Sequence, residues 1–403
     1  MSIIVQKYGG TSVADVDKIK NVARKIIATK AAGHDVVVVV SALGGTTDDL
    51  LEMAYALNPA PHERELDMLL ATGEQISIAL LSMAIAALGY DAISFTGAQV
   101  GIVTDNSHTK ARILDVHSDR IVEAIEQGKI AIVAGFQGVT VDHDITTLGR
   151  GGSDTTAVAV AAKLGAERCE IYTDVEGVFT ADPRIVVDAR RLDAVSYDEM
   201  LEMAATGAKV LQLRSVEYGR NHSVIMEVKS SFSADRGTVI KESDQMMEKA
   251  IVSAVTHDLD EAKITVFGVP DRPGIAAAVF RALADAGINV DMIIQNVSDQ
   301  GITDISFTVP GSDLSRGRRI IEQLVKDLEA RGLAYDEDIA KVSLVGAGMK
   351  SHPGVAARMF EILAGESINI DMISTSSIKI SCVIAQEDAA KAVRALHSGF
   401  ELG

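Results

Sequence analysis

Short apolar runs alternate with longer amphipathic stretches over the first 240 residues. Residues 3–6 and 36–40 are apolar on both faces and bounded by turn residues, which predicts buried strands. Residues 15–29 and 74–88 carry apolar side chains at helical spacing, which predicts amphipathic helices. Further strands are predicted at residues 92–96, 130–135, 169–173 and 224–228. This alternation predicts an α/β domain with a mostly parallel sheet sandwiched by helices.

The last part of the chain contains an internal repeat. Residues 273–277 (PGIAA) recur as PGVAA at 353–357, and residues 288–293 (INVDMI) recur as INIDMI at 368–373, in both cases 80 positions later. Each copy reads strand, Pro-Gly turn, helix, strand, strand, helix, which is a ferredoxin-like βαββαβ plan. The second copy ends too early for a fourth strand, and we expect residues 251–256 to complete its sheet.

A polar, charged stretch at residues 230–249 separates the α/β region from the repeats. The predicted domains are residues 1–240 for the α/β domain, 241–262 for a linker with the additional strand, 263–336 for the first repeat and 340–403 for the second. Two or three domains agree with a length of 403 residues, at roughly 100–200 residues per domain.

Composition and charge exclude several classes of protein. Hydrophobic residues make up 47% of the chain and charged residues 23%, which excludes a disordered chain. The formal net charge is −18 and no run is rich in Lys and Arg, which excludes a sequence-independent nucleic-acid binder. Two cysteines fit a reducing cytoplasm. The longest apolar run is far shorter than a membrane span, and the opening segment lacks a signal peptide's apolar region, so we expect a soluble cytoplasmic protein.

Three glycine-rich segments follow predicted strands. The first places Lys7 before Gly9 and Gly10, whose amides and following helix favour a phosphate site. The second, residues 41–47, offers hydroxyls and amides but no cation. Each of these two segments is also typical of an ordinary turn.

The third segment, residues 149–156, is the most informative. The planar guanidinium of Arg150 suits a carboxylate and Asp154 can accept from an ammonium group, so the two match both ends of an amino acid. The alternative is an Arg–Asp pair that caps a helix beginning at Thr155. The sequence contains no Walker A motif and no GxGxxG fingerprint, and its nine histidines show no metal-ligand spacing.

Six motifs, in order, resemble those of the aspartate kinases in the amino-acid kinase family. They are KYGGTSVADV at 7–16, SALGGTTDDLL at 41–51, TGEQIS at 72–77, GRGGSDTTA at 149–157, YTDVEGVFTADPR at 172–184 and GAKVLQLRS at 207–215. The two repeats resemble ACT domains, which the related acetylglutamate, glutamate and UMP kinases lack. The resemblance implies an amino-acid kinase fold followed by two ACT domains. It also implies transfer of the ATP γ-phosphoryl group to the β-carboxylate of L-aspartate, toward lysine, threonine and methionine.

The resemblance assigns roles to individual residues. The implied catalytic residues are Lys7, Arg150 and Asp154. Lys7 would neutralise charge on the phosphoryl group, Arg150 would bind the α-carboxylate of the substrate, and Asp154 would help to arrange Lys7 and the substrate. The implied substrate-binding residues are Thr47, Glu74, Arg150, Gly151, Gly152 and Ser153. The implied ATP-binding residues are Lys7, Tyr8, Gly9, Gly10, Ser41, Thr173, Asp174, Phe179, Thr180, Asp182, Arg184 and Lys209. Mg²⁺ is expected to be held mainly by the nucleotide phosphates, with no metal site of protein ligands.

The ACT resemblance implies feedback inhibition by lysine, threonine or both. The implied effector-binding residues are Asp271, Pro273, Gly274, Ile275, Ala276, Asn289, Val290, Asp291, Gln295, Val355, Ala356, Asn369, Ile370 and Ser376. The two sites are expected to be chemically unequal, because Ser351-His352 replaces Asp271-Arg272 and Thr375 replaces Gln295. ACT domains commonly pair edge to edge, so we expect a homo-oligomer. An internal start at Met246 or Met247 would instead allow a hetero-oligomer with a separate ACT subunit.

Two other functions stay open at this point. The first alternative is another amino-acid kinase, one that acts on a different carboxylate or phosphate. The second alternative is an amino-acid sensor whose kinase domain is degenerate. The charged residues of the kinase motifs argue against degeneracy, because all are present: Lys7, Glu74, Arg150, Asp154 and Lys209.

Overall fold

The computed structural model describes residues 2–233, 235–243, 251–296 and 301–403, and its contacts divide the chain into two compact units. The first unit comprises Met1–Val178, Arg191–Ala204 and Lys209–Met247, and the second comprises Phe179–Arg190, Ala205–Ala208 and Glu248–Gly403. Two short segments from the α/β region therefore belong to the second unit. Met246 and Met247 lie outside the described residues.

The first unit alternates strands and helices. Its strands are β1 (Ile3–Tyr8), β2 (Asp35–Val40), β3 (Ala92–Phe95), β4 (Ile102–Thr104), β5 (Ile113–Val116), β6 (Ile130–Ala134), β7 (Gln137–Val139), β8 (Ile145–Thr147), β9 (Arg168–Thr173), β10 (Ala194–Ser196), β11 (Met226–Ser230) and β12 (Thr238–Lys241). Its helices are α1 (Val16–Ala31), α2 (Thr46–Leu57), α3 (Glu63–Leu70), α4 (Thr72–Ala86), α5 (Asp119–Glu126), α6 (Gly152–Leu164), α7 (Tyr197–Ala205) and α8 (Leu213–Asn221).

Eight of these strands form one sheet in the order β10-β12-β11-β9-β1-β2-β6-β3. Neighbouring strands in this sheet are parallel, except that β11 and β12 are antiparallel. Alternate side chains of a strand point to opposite faces, so Val36, Val38 and Val40 pack with α1 and α4 in one apolar cluster. Helix α6 packs on the opposite face, against β1 and β2. The predicted parallel sheet between helices is confirmed.

A smaller sheet, β5-β4-β7-β8, lies in the same unit. Its strands have three or four residues each and include polar side chains, such as those of Thr146 and Thr147 in β8. The apolar pattern predicted none of them, because runs this short carry little periodic signal. The pairing of β7 with β8 makes a hairpin that brings residues 145–151 toward the carboxyl ends of β1 and β2.

One helical stretch of the first unit, Glu63–Ala86, is long and apolar enough to cross a membrane by length and composition, with a mean hydropathy of 1.6. It contains α3 and α4. Ile78, Leu81 and Ile85 on α4 are buried in the cluster beneath the large sheet. Packing in the core therefore accounts for part of the apolar character of this stretch, of whose most apolar window 44% is buried.

The second unit holds the two repeats. Its strands are β13 (Ala254–Asp258), β14 (Glu261–Pro270), β15 (Ile293–Gln295), β16 (Ile302–Pro310), β17 (Gly332–Asp336), β18 (Ile339–Val345), β19 (Met372–Thr375) and β20 (Lys379–Ala385), and its helices are α9 (Ile275–Asp285), α10 (Leu314–Asp327), α11 (Val355–Gly365) and α12 (Ala389–Gly399). The first repeat forms the sheet β15-β16-β14-β17, and the second forms β13-β18-β20-β19. Strand β13, predicted at residues 251–256, pairs with β18 and so completes the sheet of the second repeat.

The segment Phe179–Arg190 contributes to the core of the second repeat. Ala181 and Val186 are buried in the apolar cluster formed around β18, β20, α11 and α12. Thr180 is 1% exposed, and its hydroxyl lies 2.9 Å from Nε2 of His397 in α12. A stretch that belongs by sequence to the kinase motifs is thus part of the packing of a regulatory-type domain.

Candidate active site

A cleft of about 920 Å³ opens at the carboxyl ends of β1 and β2. Four segments distant in sequence meet there, because the carboxyl ends of parallel strands lie at one edge of a sheet. They are the glycine-rich loops after β1 and β2, the first turn of α4, and the turn that leads into α6. The predicted residues that line the cleft are Lys7, Gly9, Gly10, Ser41, Thr47, Glu74, Arg150, Gly151, Gly152, Ser153 and Asp154.

Lys7 and Asp154 form an ion pair at the floor of this cleft. Their side chains are about one-tenth exposed, and Lys7 Nζ lies 2.5 Å from Asp154 Oδ1. Asp154 belongs to the first turn of α6, which begins at Gly152 and not at Thr155 as predicted. The Arg150–Asp154 capping pair weighed from sequence is not formed, because Asp154 turns toward β1. The pair fixes a cation next to the amides of the Gly9–Gly10 loop.

The Gly9–Gly10 loop packs directly against the loop after β2. A Cβ atom at Gly10 would lie 2.9 Å from the carbonyl oxygen of Ala42, so a side chain there would force the two loops apart. The amide of Ser41 donates to the carbonyl of Tyr8 at 3.1 Å, which joins the two strand ends. The loops therefore pack together along the cleft, and the amides of Gly9 and Ala42 donate to the carbonyl of Tyr172 and to Glu74.

Glu74 is a buried carboxylate on the opposite wall, in the first turn of α4. Only 2% of the residue is exposed, and burial raises the pKa of Glu74 from 4.5 to about 7, although hydrogen bonds from backbone amides oppose the rise. Its Oε1 accepts from the amide of Ala42 at 3.2 Å. Within the described part of the chain, its buried Oε2 has no hydrogen-bond partner. Glu74 is also one of the residues that line the cleft.

Arg150 is exposed in the cleft at the tip of the turn before α6. Among the described residues, none forms an ion pair or hydrogen bond with its guanidinium. Gly151 follows with φ of +69°, and a Cβ atom there would lie 1.8 Å from Cγ of Gln212. The turn is therefore seated on the segment before α8, and only glycine fits at its centre.

Comparisons with known proteins identify the family. The amino acid kinase family model matches residues 2–229, and ACT domain models match residues 263–328 and 342–400. An aspartokinase from Corynebacterium efficiens is 56% identical over 408 residues, covering 100% of this chain and 97% of the relative. The chain belongs to the aspartokinases.

Two crystal structures of E. coli aspartokinase III resemble the fold, each at 27% identity. The complex with aspartate and ADP (R-state) has a TM-score of 0.83 over 98% of this chain and 99% of that chain. The complex with lysine and aspartate (T-state) has a TM-score of 0.75 over 99% of both chains. The predicted order of a kinase domain followed by ACT domains is thereby confirmed.

The predicted nucleotide-binding residues of this aspartokinase are divided between the two units. Thr173 ends β9 beside β1, and its hydroxyl donates to Asp174 at 3.0 Å, so both lie at the strand edge that carries the Gly9 loop. Phe179, half-buried, belongs to the second unit, whereas the exposed Lys209 begins a segment of the first. None of these four is among the residues that line the cleft.

Four further nucleotide assignments require comment. The ring of Tyr8 is fully buried and stacks on Tyr172 with centroids 4.7 Å apart, so only its backbone is available at the loop. The hydroxyl of Thr180 accepts from the amide of Arg190 at 3.0 Å in addition to its bond with His397, which leaves its side chain no open face. Both side chains are thus packed inside the protein, and their assignment to the nucleotide stays a prediction. Asp182 and Arg184 pair with each other at 2.7 Å in the second unit.

The predicted effector residues lie around the Pro-Gly turns of the second unit. Gly274 and Gly354 are the N-caps of α9 and α11, each with φ of +100°. At these turns Asp271, Pro273 and Gly274 are exposed, Ile275 and Val355 are buried, and Ala276 and Ala356 are half-buried.

The second group of predicted effector residues lies before, in and just after the short strands β15 and β19. Asn289, Asp291, Gln295, Asn369 and Ser376 are exposed, and Val290 and Ile370 are half-buried. The segment from Asn289 to Asp291, predicted as a strand, is an extended connection before β15.

The acidic residues of the two repeat motifs connect the repeats to each other. Asp291 Oδ2 accepts from Lys341 Nζ at 2.6 Å, and the same lysine pairs with Glu261. The equivalent residue of the second repeat, Asp371, pairs with Lys263. Sequence reasoning gave Asp291 to the effector, whereas its carboxylate already has a lysine partner in the structure.

Sequence reasoning missed several residues that build the cleft. Asp67 accepts hydrogen bonds from the amide of Thr109 and the hydroxyl of Thr147, two residues that line the cleft. Arg214 donates to the carbonyls of Leu148 and Ala111. Arg214 lies within a quoted motif, GAKVLQLRS, so its presence there was the available signal. Asp67 follows no recognisable pattern in a single sequence.

Proposed function

We propose that this aspartokinase transfers the γ-phosphoryl group of ATP to the β-carboxylate of L-aspartate in the cleft beside β1 and β2. One observation carries the proposal: the same cleft presents an unpaired guanidinium on Arg150 and an unpaired buried oxygen on Glu74. These are the complements of an α-carboxylate and an α-ammonium group. The E. coli relative crystallised with aspartate and ADP supports the same substrates.

Lys7 supplies the positive charge that the transfer needs. Phosphoryl transfer depends on positioning and on stabilising charge that spreads over the phosphoryl oxygens, more than on covalent chemistry. Asp154 holds Lys7 Nζ at 2.5 Å, which keeps the cation beside the Gly9–Gly10 loop. The attacking β-carboxylate is ionised at neutral pH, so the reaction requires no general base.

Arg150 and Glu74 orient the acceptor. With the α-carboxylate at Arg150 and the ammonium group at Glu74, the β-carboxylate of aspartate is the group left to react. An ammonium group beside Glu74 also supplies the counter-charge that this buried carboxylate lacks in the free protein. Thr47, half-buried on the same surface, offers a hydroxyl for the remaining polar atoms.

We infer that Mg²⁺ enters with the nucleotide. In the described residues, no group of three or more His, Cys, Asp or Glu side chains is placed to hold a metal ion. The glycine-rich loops after β1 and β2, with Lys7 beside them, line the cleft and are proposed to receive the phosphates, which then carry the ion. An ion carried in this way would supply additional charge neutralisation beside Lys7.

The second unit is proposed to bind an amino-acid effector, lysine or threonine, at the Pro-Gly turns. An E. coli relative is crystallised with lysine, which supports this class of ligand. The turn before α9 carries Asp271, whereas the corresponding turn of the second repeat carries Ser351. An effector with a second ammonium group is therefore expected to prefer the first repeat.

Assembly and location are also proposals. Exposed strand-edge residues Ile293 and Ile373, equivalent in the two repeats, are consistent with edge-to-edge pairing of ACT domains in an oligomer, either of identical chains or with a separate ACT subunit. The two cysteines, Cys169 and Cys382, are free and buried, which fits a reducing cytoplasm.

A set of acceptors that lack one group each tests the proposal. L-Aspartate should release ADP and give an acyl phosphate that hydroxylamine traps. N-acetyl-L-aspartate lacks the ammonium group and L-aspartate α-amide lacks the α-carboxylate, so both should react at least tenfold less efficiently. L-Glutamate and N-acetyl-L-glutamate should be poor acceptors. ADP release that exceeds background with N-acetyl-L-glutamate but not with L-aspartate would reject the proposal.

A further inference from the structure

A buried carboxylate in α3 lies behind the wall of the cleft, and the proposed transfer does not use it. Asp67 is 0% exposed. Its Oδ1 accepts from the hydroxyl of Thr147 at 2.5 Å, and both of its oxygens lie 3.1 Å from the amide nitrogen of Thr109. Its Oδ2 lies 2.7 Å from Nδ1 of His108. One side chain thus joins three donors from two segments that are distant in sequence.

Thr109 is held in an unfavourable backbone conformation. Its φ is +65°, in the left-handed region that β-branched residues rarely adopt. The amide that the two oxygens of Asp67 receive belongs to this residue, so the carboxylate is placed to stabilise the strained geometry. Both Thr109 and Thr147 line the cleft.

The strained residue supports the turn that carries Arg150. A Cβ atom at Gly149 would lie 3.1 Å from the carbonyl oxygen of Thr109, so the two backbones are in close contact directly before Arg150. The amide of Ala111 donates to the carbonyl of Thr147 at 2.9 Å, which ties the same two segments together again. Arg214 fixes them from the other side, at 3.1 Å from the carbonyl of Leu148 and 2.8 Å from that of Ala111.

We infer that Asp67 is a positioning residue for the amino-acid acceptor: it fixes Thr109 and Thr147 and, through them, the turn that presents Arg150. The inference rests on the proposed function and deepens it, since Asp67 lies behind the cleft wall and acts through other residues. Its contacts are with the wall that carries Arg150 and not with the Gly9–Gly10 loop. Its loss should therefore weaken aspartate binding and spare ATP binding.

Asp67→Asn tests this directly, because an amide nitrogen cannot accept the hydrogen bonds that one carboxylate oxygen received. The KM for aspartate should rise at least tenfold, with the KM for ATP within twofold and a smaller change in kcat. Asp144→Asn is the matched control. Asp144 also accepts a hydrogen bond, at 2.8 Å from Arg64 of α3, the helix that carries Asp67, but Asp144 does not line the cleft. That variant should leave both KM values within twofold of wild type.

Rescue separates positioning from general stability. Glycine adopts positive φ without help, so adding Thr109→Gly to Asp67→Asn should restore aspartate KM to within about threefold of wild type. If Asp67→Asn does not fold, Thr147→Val removes a single donor and should raise aspartate KM about threefold with ATP KM unchanged.

An unchanged aspartate KM in Asp67→Asn, or equal rises in both KM values, would overturn the inference while wild-type aspartate phosphorylation stands. Failure of the wild-type enzyme to phosphorylate aspartate would overturn the proposed function instead.

Discussion

Replacing Glu74 with glutamine tests whether the free-energy cost of burying this carboxylate is offset by the ammonium group of the substrate. Burial raises the pKa of Glu74 from 4.5 to about 7 in the ligand-free protein. A carboxyl group with a raised folded-state pKa contributes its stability at low pH and loses it as pH rises through the folded value. At 1.36 kcal/mol per pKa unit, the ionised form above pH 7 therefore costs on the order of 3 kcal/mol.

The stability measurement follows from that sign. At pH 8 without ligands, Glu74→Gln should melt several degrees above wild type, because ~1 kcal/mol shifts Tm by about 2–4 °C in a unit of this size. At pH 5 wild-type Glu74 is mostly protonated in the folded state, so the difference should become small. Glu52→Gln removes the same charge from an exposed position on α2 and should show no pH-dependent gain.

The kinetic measurement tests the same carboxylate in its proposed role. Wild-type kcat/KM for aspartate should rise with pH through about 7, since the ionised form of Glu74 accepts from the ammonium group. Glu74→Gln should lose that rise and fall more than tenfold below wild type at pH 8, because a hydrogen bond to a charged group is worth about 1.5–3 kcal/mol. A variant that is less stable at every pH, or that keeps the wild-type pH profile, would refute the reasoning.

Three further predictions follow from the site and the repeats. Lys7→Ala should lower kcat by a factor of ~10²–10³ with a smaller change in aspartate KM, the scale for losing one transition-state stabiliser; steady-state kinetics with near wild-type kcat would contradict its role. Arg150→Lys keeps the charge but loses the planar fork, so aspartate KM should rise more than tenfold while ATP KM stays within a few fold; equal losses would place Arg150 at the nucleotide. Asp271→Ala or Asn289→Ala should raise the half-inhibiting effector concentration at least tenfold with uninhibited kcat within about twofold, since allosteric coupling is typically ~1–3 kcal/mol. Inhibition curves and Tm on one preparation check this, and an unchanged midpoint in both variants would place the effector site elsewhere.

The large sheet and its helices were accessible from the sequence because their apolar patterns are long and regular. Five consecutive valines mark β2 as a strand buried on both faces, and the helical spacing of α1 survives in the observed cluster. The small sheet was not accessible, since β4, β7 and β8 have three residues each. Their pairing is decided by neighbours brought together from distant parts of the chain.

The candidate site was predictable in its parts but not in its pairings. Three glycine-rich segments were recognisable and the family resemblance implied that Asp154 arranges Lys7, yet residue spacing alone could not show that Asp154 would pair with Lys7 and leave Arg150 without a partner among the described residues. Nor could it show Asp67, whose importance lies in contacts with Thr109 and Thr147 across 42 and 80 positions. Such contacts depend on the folded arrangement of turns, on which a local pattern carries no information.

The division of the chain between its units bears on how an effector would reach the chemistry. The motif at residues 172–184, predicted to bind the nucleotide, begins in the first unit and continues in the second from Phe179. Because the peptide is continuous between them, a change in the packing around Thr180 and His397 has a covalent route to the end of β9. One buried hydrogen bond contributes about 0.5–1.5 kcal/mol, which is comparable with the ~1–3 kcal/mol typical of allosteric coupling. Rearranging a few contacts of this segment would therefore change the free energy by an amount of the size that allosteric coupling needs.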